Sequence, residues 1–105
     1  MDTRLVITNC PDEETANRIA LAVVEAQLAA CVNILPRVQS IYRWQGAVES
    51  AVEVPLLIKT TVAAYPALEA EALHTAAAML PPATSEWTMR AASCAWLTVA
   101  MHGAR

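Results

Sequence analysis

Apolar and polar positions change their spacing repeatedly along this chain, and each change marks an element. Residues 4–9 (RLVITN) form a short, mostly apolar run that reads as a first strand. Cys10-Pro11-Asp12-Glu13-Glu14 is a helix-start signal, with carboxylates placed to face the helix dipole. From there to about residue 30, Ala16, Ile19, Ala20, Val23 and Val24 keep helical spacing. Gln27 interrupts, and Leu28 and Cys31 resume the stripe, which predicts an amphipathic helix lying on a sheet. Residues 28–61 then read as a long β-hairpin. Its outward arm holds the run 32–35, a break at Pro36, and Val38, Ile41, Tyr42 and Trp44 up to a Gln45-Gly46 turn signal. On the return arm, 53–61, Val54, Leu56, Ile58 and Thr60 fall on one face and Glu53, Pro55, Leu57 and Lys59 on the other. Pro55 has no N–H to donate and so belongs at a bulge or a sheet edge.

A second helix is predicted over 62–79. Pro66 is tolerated early in it, and Tyr65, Leu68, Ala72 and Leu73 share a face. Pro81-Pro82 ends that helix. Residues 83–89 (ATSEWTM) read as a weak strand, and 91–102 as a last short helix offering Cys94, Trp96, Leu97 and Met101 for packing. The order strand, helix, strand, strand, helix, strand is the α+β, ferredoxin-like split βαβ plan, an antiparallel sheet with helices on one face. The two hairpin arms overrun a four-stranded sheet, so the surplus is expected to pair with another copy of the chain.

Composition sharpens this picture. With 105 residues, the chain is expected to be a single domain spanning 1–105 with one core. Its 56% apolar share exceeds the about 45–50% usual for a soluble domain, which favours burial by association. A net charge of −3 and a pI near 5.2 argue against nucleic-acid binding, since no clustered basic face exists. No signal peptide is read at the start, and no run reaches the roughly 18 apolar residues of a membrane span. Three cysteines without paired spacing predict reduced thiols and a cytoplasmic protein.

Four segments carry a resemblance: Pro11-Asp12-Glu13-Glu14-Thr15-Ala16, LAACVNILP over 28–36, IYRWQG over 41–46, and LLIKTT over 56–61. Together they resemble the CutA divalent-cation-tolerance family across roughly 4–74 without a gap, and Ala95-Trp96-Leu97 also fits. The resemblance implies a ferredoxin-like subunit in a tight homotrimer with hairpin arms paired between subunits. It also implies a link to tolerance of copper and other divalent cations, and no agreed enzymatic activity. A eukaryotic branch of the family is associated with acetylcholinesterase anchoring. The chain departs from the family after the second helix. Where relatives carry a segment close to HPYEVPEI, only His74 remains, followed by Thr75-Ala76-Ala77-Ala78-Met79-Leu80-Pro81. That change implies a wider, more apolar cleft between subunits and a last strand starting nearer Met79; a divergent branch or an engineered scaffold would each account for it.

Copper favours thiolate and imidazole ligands, and Cys10, Cys31, Cys94, His74 and His102 are the candidates. None has ligand spacing, so a site must be assembled in three dimensions or across subunits. By resemblance, His74 matches a family histidine, while Thr8 takes the family cysteine position and Cys10 returns to the same strand face two residues later. His74 and Cys10 are therefore the candidate ligands for Cu2+ or another divalent cation. The plainer readings are core packing for Cys31 and Cys94, a helix-end hydrogen bond for His74, and a solvated tail for His102.

Lys59, the chain's only lysine, lies on an apolar strand. Desolvation there would leave some amine neutral and able to form a Schiff base with a carbonyl compound. Glu53 or Glu86 would shuttle protons, and Trp44, Trp87 and Tyr42 would flank a flat ligand in an inter-subunit cleft. The competing reading pairs Lys59 with a carboxylate or lets it reach water. Tyr42, Arg43 and Trp44 also read as interface anchors. No Ser-His-Asp arrangement or glycine-rich phosphate loop is present, since Gly46 and Gly103 are the only glycines. The leading expectation is a non-enzymatic, trimeric cation-tolerance protein, and the alternative is a small-molecule or amine site using Lys59.

Overall fold

A computed structural model describes residues 2–79 and 97–101. Its elements run β1 (Thr3–Cys10), α1 (Glu13–Glu25), β2 (Cys31–Ile34), β3 (Val38–Trp44), β4 (Ala47–Thr61), α2 (Tyr65–Met79) and β5 (Leu97–Met101). This is a mixed α+β fold with an antiparallel sheet of order β2-β4-β1-β5, and β3 paired further along β4.

The alternation along β4 does what the sequence pattern requires. Val54, Leu56, Ile58 and Thr60 are buried and stand beside Cys10, Thr8, Val6 and Arg4 of β1. Helix α1 lays Ala16, Ile19 and Val23 on this face, and α2 lays Leu68, Ala72 and Ala76 on it, closing one core. Leu73 is 38% exposed, because it falls off the four-residue line through Leu68, Ala72 and Ala76. Val24, on the last turn of α1, is likewise exposed.

Helix α1 starts where expected. Asp12 is its N-cap, accepting a 2.7 Å hydrogen bond from the Thr15 N–H. It ends at Glu25, about five residues before the periodicity suggested. Gln27 adopts a left-handed φ of 61°, and the Gln27 and Leu28 N–H groups bond back to the Val24 and Val23 carbonyls. That is a Schellman closure, so Leu28 and Cys31 belong to the following loop and strand.

The hairpin turn forms at Gln45-Gly46 with φ of 48° and 82°, the two positive values that match a tight turn to the twist of its strands. The return arm is longer than expected, starting at Ala47, because pairing with β3 holds the weak AVESAV stretch extended. Between the pairs Ile34↔Leu56 and Val38↔Glu53, three residues (35–37) face two (54–55). Pro55 therefore lies opposite a bulge while β1 continues unbroken beside it.

One expectation is overturned. Residues 97–101 form strand β5 against β1, from Ile7↔Leu97 to Thr3↔Met101, where a helix over 91–102 was expected. A short apolar run fits either period, and the free edge of β1 supplies the hydrogen-bond partners that settle it. The expected strand over 83–89 lies outside the described residues.

Candidate functional site

The candidate residues are distributed over three places. At the end of β1, Cys10 is 1% exposed within the core. Burial first, then the Asp12 and Glu53 carboxylates, push its thiol from 9.0 up to about 12, so it keeps its proton at neutral pH. Glu53, buried in β4, accepts a 3.4 Å hydrogen bond from Asn9 Nδ2.

His74 lies elsewhere. It is in the body of α2 and exposed, so it does not cap the helix end. It lines a shallow groove of about 340 Å³ with Glu14, Arg18, Thr75 and Ala78, and Cys10 is not among the lining residues. Glu14 and Arg18 come from one face of α1, four residues apart. Sequence reasoning placed Glu14 in a solvated helix start and passed over Arg18. Only the packing of α1 on α2 brings both into one groove with His74.

As a cation site this groove is incomplete. His74 and Glu14 offer one nitrogen and one carboxylate, with the Arg18 cation beside them. Among the described residues, no group of three or more His, Cys, Asp or Glu side chains is arranged to hold a metal ion. The donor set of this part of a single chain therefore does not fit a closed centre.

The third place is the sheet face turned away from the helices. Lys59 there is exposed, so the desolvation argued from its apolar strand is absent. Cys31 of β2, half-buried, is its direct cross-strand partner. The proposed helpers of Lys59 do not gather around it within one chain. Glu53 is six residues away along β4, about 20 Å, and Tyr42 pairs with Glu49, about 33 Å away. Trp44 pairs with Ala47 at the hairpin tip, farther still. Glu86 and Trp87, and Cys94 and His102 among the metal candidates, lie outside the described residues.

Comparison with known proteins gives a consistent result. The sequence profile of a family described as CutA1 divalent ion tolerance protein matches residues 4–98. A divalent-cation tolerance protein CutA from Thermus thermophilus is 53% identical over 72 residues, covering 67% of this chain and 70% of the relative. Protein CutA of Mus musculus is 52% identical over 59 residues, 56% of this chain; the match spans only 33% of the mouse protein. Among solved structures, CutA from Synechococcus elongatus aligns with a TM-score of 0.72 and 35% identity over 96% of this chain and 78% of that one. CutA1 from Shewanella aligns at 0.67 with 44% identity, over 70% and 69%.

Proposed function

The chain belongs to the CutA1 divalent ion tolerance protein family, and from that premise we propose that it is a homotrimeric, cytoplasmic, divalent-cation tolerance protein that binds copper without turnover. The match over residues 4–98 carries this reading. The strand order β2-β4-β1-β5 with both helices on one face supports a ferredoxin-like subunit, with β2 and β3 acting as one bent arm. Exposed Ile41, Val48 and Val52 on the projecting ribbon support shared arms. The net charge of −3 supports a protein that binds no nucleic acid. Among the described residues, no helix is long and apolar enough to cross a membrane.

His74 is the first ligand in this reading, with Glu14 beside it. Donors from a second copy complete the shell that one chain leaves open, since Cys10, sealed in the core with its proton held, does not reach the groove. Calorimetric titration of the assembled protein with Cu2+ should give stoichiometric binding that weakens about tenfold or more in His74→Ala. The absence of stoichiometric binding, or equal affinity in the variant, overturns the reading.

The lack of an ion pair to Lys59 among the described residues supports a second reading, in which a neighbouring copy buries this exposed amine and the seam between subunits takes a carbonyl compound there. Tyr42 and Trp44 would then come from a neighbouring copy, since the ribbon carries them away from their own Lys59. Borohydride trapping of a carbonyl compound on the wild type but not on Lys59→Ala is the outcome that reading requires.

A further inference from the structure

We propose that His74 is a phosphoacceptor: it takes a phosphoryl group from a small acyl phosphate, and Arg18 holds the phosphoryl oxygens as the group moves. The groove between the helices carries the argument. His74 of α2 is exposed, and Arg18 of α1 lines the same hollow of about 340 Å³. Beside a metal ion a guanidinium is a repelling charge. Beside a phosphoryl group it is a fitting partner, offering a planar fork of donors to the oxygens. Among the described residues Arg18 makes no ion pair, so no carboxylate occupies those donors. Imidazole in turn is a side chain that is both nucleophilic and largely unprotonated near neutral pH.

The rest of the groove selects the acceptor and the donor. Thr75 lines it too, but its hydroxyl donates to the Glu71 carbonyl at 2.9 Å, one turn back in α2, which leaves His74 as the acceptor. Arg18 and Thr75 also line a second hollow of about 320 Å³ further along the helix pair, where Leu21 and Ala22 give an apolar wall. The two hollows adjoin at Arg18 and together fit a ligand that is anionic at one end and apolar at the other. A short-chain acyl phosphate has that form, with its phosphoryl group toward His74 and its alkyl end over Leu21. All of these residues belong to α1 and α2, so pairing of the ribbons and covering of the helix-free face leave the groove in place. A neighbouring copy that reaches His74 narrows the entry, which is why the donor is a small molecule and not a protein.

The step balances with the acyl phosphate as co-reactant. The unprotonated ring nitrogen of His74 attacks phosphorus, the P–O bond to the acyl group breaks, and the donor leaves as its carboxylate. An N–P bond forms, and the proton on the other ring nitrogen goes to solvent. As the group passes from oxygen to nitrogen its charge is spread over three equatorial oxygens, and Arg18 stabilises that charge from the wall of the groove. The inference goes beyond the cation reading. Both use His74, and they part at Arg18, which opposes a metal ion and favours a phosphoryl group.

The test treats the whole assembled protein with excess acetyl phosphate in the presence of EDTA, so that its failure is separate from a failure of cation binding. Acid-labile phosphohistidine is mapped by mass spectrometry at alkaline pH, with His102, the chain's other histidine, as internal reference. His74 should be labelled about tenfold or more faster than His102 in the wild type. Arg18→Ala should remove most of that advantage, and Arg18→Lys should restore part of it by returning a cation. Equal labelling of the two histidines, or an Arg18→Ala rate within twofold of the wild type, overturns the proposal. Labelling of His74 that persists where copper fails to bind would sink the cation reading and leave this one standing.

Discussion

Cys10 shows how placement decides what a side chain is able to do. Its thiol is raised from 9.0 to about 12 by burial and by the Asp12 and Glu53 carboxylates. Below pH 9 both the native and unfolded chains hold this proton, and the group contributes its full stability. Between pH 9 and 12 the unfolded chain releases the proton while the native one keeps it, so stability falls with rising pH by about 1.4 kcal/mol per unit. Urea melts across that interval should therefore show a steeper alkaline loss in the wild type than in Cys10→Ala, and equal slopes would remove the argument. The sequence made Cys10 a candidate ligand and read Cys31 as core packing. The register reverses their surroundings, sealing Cys10 on the helix-bearing face and leaving Cys31 half-buried on the other.

Helix α1 is instructive at the level of the element because its two ends differ in how openly they are encoded. The start is written in Asp12-Glu13-Glu14, and the cap hydrogen bond is the consequence. Asp12→Ala should cost about 1 kcal/mol in denaturant melts, through the orphaned Thr15 N–H. The end is hidden, because glutamine is not the usual residue for a left-handed position. Gln27→Gly should relieve that conformation and raise stability by up to about 1 kcal/mol, read as a higher urea midpoint. An unchanged or lower midpoint would mean that the Gln27 side chain repays its strain. The same hidden information misdirected the reading of 97–101: period favoured neither helix nor strand, and the open edge of β1 chose the strand.

Across the molecule, the ribbon of β3 and β4 sets the behaviour. Registers Gln39↔Val52, Ile41↔Ser50 and Arg43↔Val48 put Ile41, Val48 and Val52 on one face, at 74%, 66% and 59% exposure. β1 pairs with β4 only from Val54 onward, so along 47–53 the strand paired with β4 among the described residues is β3. Bare apolar side chains on such a two-stranded ribbon are what a second copy would cover. Sedimentation velocity should find a trimer for the wild type, and Ile41→Glu with Val48→Glu should weaken assembly by about tenfold or more. A stable single subunit in the wild type would contradict the shared-arm assembly.

The sequence by itself determined the strand–helix alternation as far as α2, most of the buried stripe of α1 and part of that of α2, the hairpin with its Gln45-Gly46 turn and the family, because periodicity and turn chemistry are local properties that survive without the fold. Tertiary structure alone decided which residues meet. Glu14 and Arg18 share a groove with His74 only when two helices pack, Cys31 faces Lys59 only in one register, and 97–101 became a strand only beside β1. Each of these depends on hydrogen bonds and packing between segments far apart in the chain, and a side chain carries no local sign of a partner that arrives from a distance.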